Sequence, residues 1–408
     1  MRVLLSTYGS RGDVEPVVGL GAALQALGVE VPLCAPPDQE FRELLARADV
    51  PLTPAYTPMR QLVADMGKRF RDIRELAAEV VVAQYDAISA AAEGCDVVLA
   101  SGLFPSAAAT RSVAERMAVP YVCAIPCPIF LPSHHHRPLA YPGCPVPPDV
   151  TDHRALWDWN VRVMNLLFGE AYNAHRASIG LAVVDNVRDH VFTDRPWLAS
   201  DPILSPWLPT ELYDVVQTGA WILPDPRPLA AEIEAFLEAG PSPVYVGFGS
   251  MTMEHAPDAA RTAIKAVRAQ GRRMLLARGW AELAAIDDQD DCLVVGEVNQ
   301  QALFRRVAAV VHHGGAGTTT VAAQAGASQL IVPQVWDQPY WAGRVAELGV
   351  GVAHDGPVPT FESLSAGLQA ALAPQTSEKA AAVASTIRTD GAMVTAKMLI
   401  DMIRGERR

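Results

Sequence analysis

The sequence predicts an α/β protein of two domains, each a parallel sheet flanked by helices. Three observations predict it. The 408 residues exceed what one hydrophobic core usually organises. Short apolar segments alternate with amphipathic helical ones in two separate runs, the pattern of parallel sheets covered on both faces. A proline-dense stretch lies between the runs.

The first run opens with a strand at residues 2–6 and the turn Gly9-Ser10-Arg11-Gly12-Asp13, then a helix at 16–27 closed by Gly28. Further strands fall at 29–35, 97–100 and 121–125, with helices at 61–92 and 107–117. Pro196, Pro202, Pro206, Pro209, Pro224, Pro226 and Pro228 then mark a connecting stretch, because proline removes a backbone donor and suits linkers. The second run places strands at 244–248, 273–277, 292–295, 309–312 and 329–332, with helices at 258–270, 300–307 and 318–325. Residues 377–403 carry apolar positions at helical spacing, including Met393, Ala396, Met398, Leu399 and Ile403. The expected division is 1–205 for the first domain, 206–228 for a linker, 229–385 for the second domain and 386–408 for a terminal helix. That helix either packs back on the first domain or lies on the surface of the second.

Composition narrows the function. Half the residues are apolar, ample for burial, and the net charge of -12 argues against a nucleic-acid surface, which is normally basic. Met1-Arg2-Val3-Leu4-Leu5 reads as a strand rather than a signal peptide, and no apolar run of about 18 residues predicts a membrane span. Cys34, Cys95, Cys123, Cys127, Cys144 and Cys292 are scattered, as reduced thiols of a cytoplasmic protein would be. Cys123, Cys127 and Cys144 with His134, His135 and His136 between them invite a zinc reading. The proline-rich segment holding them lacks a second paired-ligand element, which favours a substrate-facing loop and no metal.

The residues that carry chemistry fall at strand ends, where open α/β sheets bind ligands. After the 309–312 strand comes His313-Gly314-Gly315-Ala316-Gly317-Thr318, glycines that admit a ligand to the backbone before a helix whose first N–H groups suit an anion. Histidine N–H groups add donors for a diphosphate. An ordinary glycine-rich turn with space-filling histidines is the alternative, and the spacing matches neither G-x-G-x-x-G nor a P-loop. Gly247-Phe248-Gly249-Ser250 ends another strand, and Gly296-Glu297-Val298-Asn299-Gln300 follows the 292–295 strand, where its backbone could edge-pair with a base. Asp337-Gln338 pairs a carboxylate with an amide, the donor and acceptor set that neighbouring sugar hydroxyls need. Asp337 could equally cap the helix that Pro339 opens. Trp157, Trp159, Met164 and Phe168 fall at helical spacing and suit a core or a pocket wall.

In this order the motifs resemble the nucleotide-sugar site of the GT-B glycosyltransferases. With residues 1–13 and Gln217-Thr218-Gly219-Ala220-Trp221-Ile222-Leu223-Pro224, nearly the whole chain resembles the vancomycin-group glycopeptide antibiotic glycosyltransferases, least at 56–68 and 132–149. The resemblance implies a GT-B fold: two Rossmann-like domains with parallel sheets facing across a deep cleft. It implies that His313, Gly315, Ala316, Gly317 and Thr318 hold the diphosphate, with Gly249, Ser250, Arg278, Ser10 and Arg11 in the donor set. Val298 would meet the nucleobase, and Asp337 and Gln338 the sugar. Asp13 would be the base for the acceptor hydroxyl, although it could also cap the following helix; residues 8–15 hold no histidine to compete. Phe130, Tyr141, Trp157 and Trp159 could offer an apolar groove to the acceptor.

The implied reaction is metal-free inverting transfer of a hexose to a glycopeptide aglycone, with no cofactor. UDP-glucose is the favoured donor, then UDP-N-acetylglucosamine, with a dTDP-deoxysugar behind them. Fold likeness alone would also admit macrolide, polyketide or sterol acceptors. A UDP-sugar epimerase shares the architecture but needs more acid–base groups than Asp13 and Glu15 supply near the first strand.

Overall fold

The computed structural model describes residues 1–66, 68, 72–251 and 256–405, and the chain divides into two compact units. The first comprises residues 1–200, 206–223 and 389–408; the second comprises 201–205 and 224–388.

The first unit holds a seven-stranded sheet in the order β3-β2-β1-β4-β5-β6-β7. The strands are β1 (Val3–Tyr8), β2 (Leu33–Ala35), β3 (Leu52–Pro54), β4 (Val97–Gly102), β5 (Tyr121–Ile125), β6 (Trp197–Leu198) and β7 (Val216–Gln217). The second unit holds six strands in the order β10-β9-β8-β11-β12-β13. These are β8 (Val244–Gly247), β9 (Met274–Ala277), β10 (Cys292–Val295), β11 (Ala309–His312), β12 (Gln329–Ile331) and β13 (Gly351–Ala353). Every pairing in both sheets is parallel. Counted within its own unit, the second sheet runs 3-2-1-4-5-6 and the first runs the same with a seventh strand added, so the order reverses between β1 and β4 in one and between β8 and β11 in the other. Ligands of such sheets bind outside the carboxyl ends of the strands at that reversal.

The central strands are apolar on both faces because helices cover both. Val3, Leu4 and Leu5 of β1 and Val97, Val98 and Leu99 of β4 are fully buried, as are Val244 and Val246 of β8. Each such side chain contributes roughly 1.5–3 kcal/mol relative to exposure. In the first unit the helix Arg11–Ala26 packs Val14, Val17, Leu20 and Leu24 into the same cluster as Ala392, Ala396 and Leu399 of the helix Gly391–Arg404. Trp221 joins that cluster, its indole N–H donating to Thr395 Oγ1 at 2.7 Å.

Several boundaries differ from the sequence expectation. The first helix begins at Arg11, not residue 16, and carries Pro16 inside it, because the carboxylate of Asp13 closes the first turn onto Ser10. The stretch expected as one helix at 61–92 forms Met59–Asp65 and Ile73–Ala92; residues 67 and 69–71 lie outside the described residues. The helix expected at 300–307 is Gln300–Leu303 followed by a 3-10 turn, Phe304–Arg306. Residues 206–223 do not stand apart as a linker. Within them β7 extends the first sheet, and the Gln217 carboxamide accepts the Trp207 N–H and donates to Ser200 O, both at 3.0 Å. The 377–403 segment is two helices, Pro374–Ala384 and Gly391–Arg404, and between them the Arg388 N–H donates to Asp201 Oδ2 at 2.8 Å. Among the described residues no helix is long and apolar enough to cross a membrane.

Candidate active site

The site residues of the second unit stand on loops that leave the carboxyl ends of its strands. β11 ends at His312, which is completely buried. Its Nδ1 accepts the Gly314 N–H at 3.1 Å, so the proton sits on Nε2 and is donated to Gln329 Oε1 at 2.9 Å. Burial pushes this imidazole down to about 3, so it is neutral and serves the turn rather than a ligand.

His313 is placed differently. Burial pushes its imidazole down to about 4, and its Nδ1 is enclosed with no hydrogen-bond partner among the described residues. A buried polar atom without a partner costs free energy that a ligand can recover. Gly315 lies directly against the ring: a Cβ there would come within 2.6 Å of His313 Nε2. The helix Ala316–Ala325 starts at once, with Gly315 as N-cap and no side chain closing it. Its first backbone bond is Thr319 N–H to Gly315 O at 3.0 Å, which leaves the N–H groups of Ala316, Gly317 and Thr318 pointing beyond the helix end.

Two neighbouring loops meet this turn. Gly249, at φ +56°, follows β8, and a Cβ on it would stand 3.0 Å from His313 Cε1. The Gly249 carbonyl accepts the Trp280 N–H at 2.9 Å, tying in the loop that carries exposed Arg278. Ser250 follows, half-buried. Gly314, at φ +91°, leaves room for Gln338, whose carbonyl oxygen would lie 3.1 Å from a Cβ there. His313, Gly249 and the Asp337-Gln338 pair are therefore one constellation. Val298 stands at the end of β10, two places along the sheet from β8.

Asp337 precedes the helix Gln338–Glu347 without capping it. Its Oδ2 accepts the Trp341 indole N–H at 2.8 Å, and burial raises its carboxyl above the usual range while that bond lowers it. Gln338 braces the loop before it, its Oε1 accepting the N–H groups of Gln334 and Val335 at 2.7 and 3.1 Å. Its amide nitrogen meets Met251 Sδ at 3.5 Å.

In the first unit, the turn after β1 places Asp13 in the first turn of a helix rather than in a free loop. Its Oδ2 accepts the Ser10 N–H at 2.8 Å, and its carbonyl accepts the Thr7 hydroxyl at 3.1 Å. Gly9 makes the approach possible, since a Cβ there would lie 2.1 Å from that carboxylate oxygen. Arg11 pairs with Glu15 at 2.6 Å, half-exposed, so Glu15 does not cap.

Residues 3–133 match the glycosyltransferase family 28 N-terminal domain, and residues 277–395 match the erythromycin biosynthesis protein CIII-like C-terminal domain. Across the whole chain, glycosyltransferase GtfE of Amycolatopsis orientalis is 54% identical over 410 residues, covering 100% of this chain and 99% of its own. Vancomycin aglycone glucosyltransferase from the same organism is 52% identical over 415 residues, with the same coverage. The dTDP-epi-vancosaminyltransferase of that organism is 50% identical over 411 residues, again covering 100% and 99%. The chain belongs to the vancomycin-group glycopeptide glycosyltransferases. Its fold is GT-B. The glycosyltransferase VinC in complex with dTDP superposes with TM-score 0.71 at 20% identity, covering 99% of this chain and 100% of that one. The spinosyn forosaminyltransferase SpnP gives the same TM-score at 19% identity, covering 99% of both.

In this glycopeptide glycosyltransferase the four aromatics expected to meet an acceptor divide. Trp157, on the helix His153–Met164, is only 3% exposed; its N–H donates to His136 O at 3.0 Å and Arg188 lies over its ring at 5.7 Å. It is a core residue, because these contacts already occupy its indole. Phe130, Tyr141 and Trp159 are partly buried against an apolar cluster that holds Leu131, Phe168 and Tyr213. Trp159 also lines an open hollow of about 340 Å³ with Cys144, Pro145 and Leu166. The side chains of the His134 to His136 loop meet protein groups. His135 and His136 donate to the carbonyls of Pro209 and Leu131 at 3.2 and 3.0 Å, and His134 stands 3.6 Å from Glu211.

Sequence reading missed Trp341, Asn299 and Gln329. Asn299 caps the helix after the Val298 loop, accepting the Ala302 N–H at 3.0 Å, and donates to the carbonyls of Asp225 and Arg227 at 2.9 and 2.6 Å. Its N-cap position before residue 300 was a readable signal. Gln329 and Trp341 sit inside elements, and only the fold brings them to the site.

Proposed function

We propose that this chain transfers a hexose, glucose in the first instance, from UDP-glucose to a hydroxyl of a glycopeptide aglycone, by one inverting displacement without a metal. The observation that carries the reading is the enclosed His313 Nδ1, without a partner among the described residues, beside a helix N-terminus that no side chain caps and two glycines that allow close approach. Such a site suits a diphosphate, which takes hydrogen bonds from the imidazole N–H and the backbone and is stabilised by the helix dipole.

Asp13 is the proposed base. As the acceptor oxygen attacks the anomeric carbon, its proton passes to the Asp13 carboxylate and the bond from that carbon to the diphosphate oxygen breaks. UDP departs with the bonding pair. One displacement with one base inverts the anomeric centre. Because His313 is neutral, stabilisation of the leaving group comes from its N–H dipole and from the helix end. Ser250, Arg278, Ser10 and Arg11 complete the proposed donor set, Val298 meets the base, and Asp337 and Gln338 meet the sugar. The six cysteines, none of them in a disulfide among the described residues, support a cytoplasmic place of action.

A dTDP-deoxysugar is the second reading of the donor, favoured by the likeness to dTDP-epi-vancosaminyltransferase. Incubation with UDP-glucose, UDP-N-acetylglucosamine and a dTDP-deoxysugar, with and without a glycopeptide aglycone and in excess EDTA, tests the proposal. The expected outcome is aglycone-dependent release of UDP from UDP-glucose and an inverted glycoside, at an undiminished rate in EDTA. Isomerised donor without an aglycone would mean an epimerase, a retained anomer would refute the single displacement, and loss of rate in EDTA would refute the metal-free step.

A further inference from the structure

We propose that Trp341 is a positioning residue for donor recognition: its indole N–H fixes the Asp337 carboxylate in the orientation that meets the sugar. The inference rests on the reading of Asp337 as a sugar contact.

Three constraints converge on that carboxylate. Gln338 Oε1 takes the N–H groups of Gln334 and Val335, which holds the backbone of the loop before Asp337. Trp336 has φ +56°, a left-handed conformation that a bulky residue adopts only where its surroundings impose it. With the backbone so fixed, the remaining freedom of Asp337 is rotation of its own side chain. Asp337 stands at an N-cap but bonds to none of the helix N–H groups, so the helix does not orient it. The orienting bond comes from Trp341, one turn later, at 2.8 Å.

Trp341 is suited to this task because it is 1% exposed and cannot swing away, while its N–H needs a partner once buried. Oδ2 takes the Trp341 indole N–H, and the backbone N–H of Asp337 itself also supports the carboxylate. The carboxylate is thus anchored through Oδ2, and its remaining acceptor capacity is what a ligand hydroxyl would use. Burial raises this carboxyl, and the Trp341 bond opposes that effect and so favours the ionised form that accepts sugar hydroxyls.

A Trp341 that merely fills the core would alter stability alone. The test separates the two roles by comparing KM for UDP-glucose with Kd for UDP, which lacks the sugar. In Trp341→Phe the KM should rise by about tenfold, as expected for one lost hydrogen bond to a charged group, while Kd for UDP stays within about twofold, well under one such bond. The acid limb of the KM profile should move to higher pH, since the carboxyl loses the donor that lowers it. Site-specific replacement of Trp341 by benzothienylalanine keeps the ring size and removes only the N–H; it should reproduce both effects if the Phe variant folds poorly. Asp337→Ala should raise KM at least as much, and Trp341→Phe should add little to it. An unchanged KM in both position-341 variants, with Asp337→Ala still impaired, would overturn the role of Trp341. An unchanged KM in Asp337→Ala would instead overturn the sugar contact itself, and the inference with it.

Discussion

At the scale of single residues, the two adjacent histidines have opposite assignments. His312 has both ring nitrogens engaged and belongs to the strand end, whereas His313 holds an enclosed nitrogen without a partner among the described residues. His313→Ala should weaken UDP binding by about tenfold in calorimetry, the loss expected for one hydrogen bond to an anion. Gly315→Ala should do the same with His313 intact, since the new methyl would lie 2.6 Å from its Nε2 and drive the ring aside. Burial pushes His313 down to about 4, so it takes up its proton only well below neutrality. UDP affinity should therefore show no step from this group between pH 6 and 8 at about the ordinary histidine value. A titration centred there that disappears in His313→Ala, and so does not come from the terminal phosphate of UDP, would mean that a charged imidazole binds the diphosphate.

At the scale of elements, strands were legible because their apolar β-branched runs end sharply at polar or glycine residues. β5, β10 and β11 have the bounds their sequences predict. The His313 turn and the Gly249 turn were readable for the same reason, since each directly follows such a run, and the Asp337-Gln338 pair follows β12 after five residues. Helix starts were less legible. Arg11–Ala26 begins five residues early because Asp13 and Ser10 close a turn that a proline rule places later. Helical spacing allowed Trp157 a place in the core or in a pocket wall, and it did not reveal that Arg188 and His136 cover the ring. The helix Gly391–Arg404 also could not be assigned to a unit from its pattern, because its partner segment lies about 170 residues earlier, which is consistent with the Trp221 to Thr395 separation of 174. There a Cβ on Gly391 would stand 2.4 Å from Ala220 O and 2.5 Å from Gly219 C, both backbone atoms that cannot rotate away. Gly391→Ala should destabilise the first unit by about 2 kcal/mol, as overpacking does. Thermal unfolding measures it, and an unchanged midpoint would mean that the helix is not held at this contact.

At the scale of the whole molecule, two sheets share the strand order 3-2-1-4-5-6, the first with one strand added, and each carries half of the proposed chemistry at its reversal point. Asp13 follows β1 in the first unit, and His313 follows β11 in the second. The division predicts that the two functions separate on mutation, with acid–base chemistry lost from one unit and leaving-group binding lost from the other. Asp13→Asn tests this most directly, because the amide oxygen can still accept the Ser10 N–H while the base is gone. The measurement is turnover of UDP-glucose with a glycopeptide aglycone, made alongside the Kd for UDP. The account predicts turnover lowered by about 10²-fold or more with UDP affinity unchanged. A variant that turns over at the wild-type rate would contradict it.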